Sequence, residues 1–151
     1  MKNININKQT GFTLTEMVIV VVIITLLVVG LSSAYGRYKE NAKTTVAQKM
    51  ILEHMSAAIA SYESRKGTLT GISKIELVDN GVKTITPWGD SWSMTGPASG
   101  LITITFPLTS SPFADTTGPD MSSFITGAAT STVTSITYAS GSKSLTIVIQ
   151  S

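Results

Sequence analysis

Gly11-Phe12-Thr13-Leu14-Thr15-Glu16, followed by MVIVVVIITLLVVGLSSAYG at residues 17–36, decides how this chain is built. No charge occurs between Met17 and Gly36, and Met17–Val29 is almost wholly β-branched or leucine. A helix of about 20 residues, rising 1.5 Å per residue, matches the roughly 30 Å hydrocarbon layer of a bilayer. A membrane-crossing helix is therefore predicted over residues 12–36. Glu16 stands just inside its apolar border. There an unpaired carboxylate is costly, about 2.5–3.5 kcal/mol at a helix centre and less near the interface. Such a cost implies a partner for the charge.

Working outward, the N-terminal side holds Lys2 and Lys8 and no acid, a positive-inside signal that leaves the N-terminus cytoplasmic. On the other side the pattern becomes amphipathic. Tyr38, Ala42, Val46, Met50, Ile51, Met55, Ala58, Ile59 and Tyr62 recur at helical spacing, while Arg37, Lys39, Glu40, Lys43, Lys49 and Glu53 take the other positions. No proline interrupts residues 12–66. One continuous helix to about Ser64 is predicted, roughly 80 Å long. Arg65 and Lys66 suit its C-terminal end, with Gly67 following as a stop.

A connector over residues 67–87 comes next. Ser73 and Glu76 form a capping-box pattern, and Asn80-Gly81 closes either a short helix or a hairpin. The helix is expected, because Ile75-Glu76-Leu77-Val78 does not alternate. Beyond it, Trp92/Met94, Leu101–Phe106, Thr132–Tyr138 and Leu145/Ile147/Ile149 alternate with period two, predicting about four strands. Ala139-Ser140-Gly141-Ser142 reads as the turn of a terminal hairpin. Pro107–Ala129 is a long excursion in which Gly118-Pro119-Asp120 could open one short helix. The fold class expected is α+β: a long N-terminal helix packed on a small antiparallel sheet. Its segments are a leader (1–11), an apolar helix half (12–36), an amphipathic half (37–66), a connector (67–87) and a β domain (88–151).

Of 151 residues with formal charge +2, eleven are basic and nine acidic. Without Lys2 and Lys8, nine basic residues face nine acids, which leaves no electrostatic footprint for nucleic acid. The chain has no cysteine. Thiol nucleophiles, disulfides and Cys-based zinc sites are therefore excluded.

The leader and helix resemble a type IV prepilin. Gly11 ends a short basic leader, Phe12 would open the mature chain, Thr13-Leu14 follow, and Glu16 takes the fifth mature position before an unbroken apolar helix. The resemblance implies that a membrane prepilin peptidase cuts between Gly11 and Phe12 and N-methylates Phe12. It implies insertion as a single-pass inner-membrane protein, then assembly into a helical filament of identical subunits on the cell surface. A polytopic platform protein and a cytoplasmic assembly ATPase are the further partners it implies. Within such a filament Glu16 would pair with the Phe12 amine of a neighbour, fixing axial register. Thr86-Pro87-Trp88-Gly89-Asp90 resembles segments of type IVb-like pilins and of major pseudopilins, although Trp88 could equally just pin the sheet to the helix. Unlike many members, the chain lacks a stapling cysteine pair and a proline in the outer half of the span.

Alternative readings are a minor pilin, a periplasmic pseudopilin for secretion or DNA uptake, a cleaved export signal with a site at Ser32-Ser33-Ala34, or a single-pass anchored monomer. No enzyme and no cofactor is expected. Asp115 and Asp120 are weak calcium candidates, since two carboxylates offer hard oxygen ligands, but a solvated turn is the expectation there. His54, the only histidine, lacks co-ligands and nucleophile context and is expected on a helix surface.

Overall fold

A computed structural model describes residues 11–98, 100–128 and 133–150, with side chains omitted at Ser33 and Ala98. Apart from Gly11, the expected leader lies outside the described residues, as does Thr132 at the start of the third predicted strand. The chain forms two compact units, Met1–Tyr38 and Lys39–Ser151.

Helix α1 (Leu14–Lys49) contributes to both units. In the first, the apolar side chains from Met17 to Leu31 are exposed, and none of the most apolar window is buried. The helix is long and apolar enough to cross a membrane. Two of its hydroxyls are satisfied within the helix: Thr25 donates to the Val21 carbonyl and Ser32 to that of Val29, each at 2.8 Å. Hydrocarbon would leave them no other partner.

In the second unit α1 passes into a six-residue π segment (Met50–Met55) and then α2 (Ser56–Lys66). Ala47, Ile51, Met55 and Ile59 are all buried. In a regular α-helix, residues spaced by four drift about 40° per step around the axis. The wider π turn cancels this drift and holds all four toward the sheet. The seam therefore differs from the sequence pattern: Ala42 and Val46 are exposed, whereas Ala47 and Glu40 are buried. Gly67 ends α2 in the left-handed region at φ 69° and donates its N–H to Glu63 at 2.7 Å.

The connector forms helix α3 (Lys74–Asp79). Gly81 N–H bonds the Val78 carbonyl at 2.9 Å and Val82 N–H that of Leu77 at 3.1 Å, with Gly81 at φ 94°. This paired C-terminal closure selects the helix over the hairpin at Asn80-Gly81. Ser73 occupies the N-cap position, but its side chain makes no capping hydrogen bond. Trp92 then anchors the connector. Its indole donates to the Lys83 carbonyl at 2.6 Å, and the Lys74 ammonium lies 4.8 Å from its ring centroid.

Four antiparallel strands follow: β1 (Ser93–Ala98), β2 (Leu101–Pro107), β3 (Val133–Ala139) and β4 (Ser144–Gln150), in the order β1-β2-β4-β3. Ile102/Ile149, Ile104/Ile147 and Phe106/Leu145 face one another in register and are buried with the helical seam. The threonines between them on β2 are half-buried.

The excursion before β3 holds a larger helix than expected, α4 (Ala114–Ala128). It begins four residues before Gly118 and carries Pro119 inside it. Gly118 does not open the helix. It lies against Tyr138 of β3, where an added Cβ would collide with the ring. The buried row Ala114, Thr117, Gly118, Met121 and Ile125 faces the fold.

Candidate functional site

Residues 11–13 are non-helical and α1 begins at Leu14, so the helix opens at Thr13. Thr13 and Glu16 cap it reciprocally. The Glu16 carboxylate accepts the Thr13 N–H at 2.7 Å and its hydroxyl at 2.9 Å, while Glu16 N–H donates to the Thr13 hydroxyl at 3.2 Å. This is a capping box at the spacing Thr-x-x-Glu. That spacing is visible in the sequence, although the charge of Glu16 draws attention first. The Glu16 carboxylate therefore has partners within its own chain, and it is also well placed against the positive end of the helix dipole.

Phe12, beside this cap, is 81% exposed. Among the described residues a Cβ added at Gly11 would meet nothing within 4 Å, so their packing does not require glycine there. An exposed Gly-Phe peptide thus lies two residues before a capped apolar helix.

Residues 6–32 match the family model described as prokaryotic N-terminal methylation motif. This is the type IV prepilin and pseudopilin signature. Comparison with curated proteins and comparison with solved structures each returned no match. The prepilin signature covers Gly11, Phe12 and Glu16 and the first half of the apolar helix.

The other residues singled out from the sequence of this prepilin-like chain lie in the second unit. Thr86-Pro87-Trp88-Gly89-Asp90 forms a tight turn. Gly89 N–H bonds the Thr86 carbonyl at 2.9 Å, Thr86 N–H bonds that of Asp90 at 2.8 Å, and Gly89 sits at φ 97°. Proline at the first central position and glycine at the left-handed one are what a type I turn with a bulge demands. Trp88 is buried beneath the turn and donates its indole N–H to Glu40 at 2.8 Å, so it does pin this turn to α1.

Glu40 is the residue that sequence reasoning missed. Its buried carboxylate also accepts the Ser111 hydroxyl and, at 3.4 Å, that of Thr117. Three neutral donors from the turn, the following loop and α4 thus converge on one acid of α1. A helical acid within an otherwise polar stretch offered no sign of this, because its donors lie 48, 71 and 77 residues away.

Asp90 holds the 108–111 loop, accepting the Thr109 hydroxyl at 2.8 Å and the Ser110 N–H and hydroxyl at 3.0 and 2.7 Å. Partial burial works to raise its pKa. The hydrogen bonds from Ser110 and Thr109 outweigh it and hold the carboxyl below its ordinary value.

Asp115 and Asp120 lie on α4, where a solvated turn was expected. Five helical positions turn the second about 140° from the first. Asp115 instead accepts the Tyr138 hydroxyl at 3.0 Å. Desolvation, then this contact, raises the pKa of the phenol. His54 is exposed on the π segment. Among the described residues no group of three or more His, Cys, Asp or Glu could hold a metal.

Proposed function

We propose that this chain is the structural subunit of a type IV pilus or a related filament, and not an enzyme. Its maturation would be a cut between Gly11 and Phe12 by a prepilin peptidase, with N-methylation of Phe12. The observation that carries this reading is the methylation motif at residues 6–32, set on an apolar helix whose side chains are exposed throughout. The glycine at position 11 adds support, since no packing among the described residues asks for it.

Cleavage would create a cationic amine at Phe12, four residues from Glu16. The ordinary pKa of an α-amino group is about 7.7–8.0, so it is largely charged at neutral pH. Glu16 would hold the helix cap in the free subunit and accept the amine of a neighbour after assembly. An acid left without a cation in an apolar shaft costs about 3–5 kcal/mol, so mismatched registers are rejected more strongly than the matched one is stabilised. Lipid is as apolar as a neighbouring helix, and packing with charge matching selects the assembled state.

The test is microscopy of sheared surface filaments from cells that carry the assembly machinery, with immunolabelling for this chain. Labelled surface filaments support the reading. Chain confined to the periplasm at native expression would assign it to a pseudopilin instead.

A further inference from the structure

A groove of about 360 Å³ opens on one flank of the second unit, between the π segment and the strand-bound stretch 81–87. Val46, Met50, Ile85 and Thr86 line it, with His54 and Lys83 beside them. Val46 is 50% exposed and Ile85 49%, which is unusual for aliphatic side chains facing one depression. Thr86 lies buried there with a hydroxyl that has no hydrogen-bond partner. Lys49, also on the groove, pairs with Glu53 at 3.6 Å, whereas Lys83 makes no ion pair among the described residues.

α4 carries a complementary feature. On α4, Asp120 and Phe124 are four residues apart, both exposed, and lie side by side along the edge of the buried row that holds Met121 and Ile125. Phe124 is 51% exposed, and Asp120 makes no ion pair among the described residues. α4 packs on β3 at one edge of the sheet, while the stretch lining the groove leads into β1 at the other.

We propose that this groove receives Phe124 of a second copy of the chain, with Asp120 of that copy set against Lys83. The inference rests on the filament-subunit reading and names the lateral contact between the second units of neighbouring subunits. An aromatic ring fills the apolar depression and a carboxylate meets the Lys83 ammonium at its rim. The two patches are different surfaces of one copy, so the contact is head-to-tail and leaves a free groove and a free Phe124 at its ends. Contacts of this kind extend into helical arrays where rotation does not close a ring.

The chain has no cysteine of its own, so cysteine cross-linking is free of background. The experiment uses the full-length chain in cells carrying the assembly machinery, with Ile85→Cys and Phe124→Cys combined, each alone, and Val20→Cys as a control for helix contacts. Disulfide-linked multimers are read on a non-reducing gel. The proposal expects a ladder from the double variant, and at most dimers from either single one. Adding Lys83→Glu should cut the ladder about tenfold through like-charge repulsion with Asp120, and Asp120→Lys should restore it. Disulfide-linked dimers from Val20→Cys with no ladder from the pair overturn this contact and leave the filament reading standing. A double variant that gives no species beyond the dimers of the single variants, or a Lys83→Glu effect that Asp120→Lys does not reverse, overturns it as well. Absence of both the ladder and the Val20→Cys dimer defeats the filament reading itself.

Discussion

Glu16 does two jobs that a single substitution would confound. Its oxygen caps Thr13, and its charge is available to a neighbouring amine. Glu16→Gln keeps an acceptor for the cap and removes the charge. It should leave the helix start intact, read as hydrogen-exchange protection at residues 16–18, while filament yield is lost. Glu16→Ala should lose both, with the cap worth about 0.5–2 kcal/mol. Normal filament yield from Glu16→Gln would remove the charge from the account. Glu40 lends itself to the same logic. Glu40→Ala strands the Trp88 indole and two hydroxyls, and should cost about 1–3 kcal/mol in denaturant unfolding followed by tryptophan fluorescence. Gly118→Ala pushes a methyl into the Tyr138 ring, and should cost about 1–3 kcal/mol as overpacking. The Gly118→Ala cost would be absent if α4 did not dock on β3.

The elements differ in how openly their residues declare them. The strands were legible because alternation is a local signal, and Ile102, Ile104 and Phe106 do point inward together. The helix closure at Gly81 was legible because a left-handed residue after an apolar turn has few other uses. α4 was less so. Gly118-Pro119 has the look of a helix start, but the glycine is there for Tyr138, a neighbour from another element. The π turn left no local mark either; only the buried spacing of Ala47, Ile51, Met55 and Ile59 reveals it. For the loop tied by Asp90, the pH dependence has a definite sign. A carboxyl with a lowered folded-state pKa contributes stability above its ordinary value of 3.8, and that contribution drains as pH falls below it through the lowered value. Asp90→Asn should therefore lower stability at neutral pH and flatten the acid limb of the stability profile below about pH 4. A parallel acid limb in wild type and variant would refute the role given to Asp90.

At the scale of the whole chain, two kinds of instruction coexist. Residues 11–36 specify an element with an exposed apolar surface, which a bilayer or other copies of the same helix can cover. Residues from Lys39 onward specify a cysteine-free unit held by an apolar seam and by polar knots at Glu40 and Asp90. The first was readable almost completely from sequence, since hydropathy and the Gly-Phe-Thr-Leu-Thr-Glu border are contiguous. The knots were not, because they join residues far apart in the chain. The central claim concerns the first instruction, and mass spectrometry of the mature N-terminal peptide from cells tests it most directly. The account predicts a chain that begins at Phe12 and carries one added methyl on its amine. A chain that begins at Met1, or near Tyr35, would contradict it.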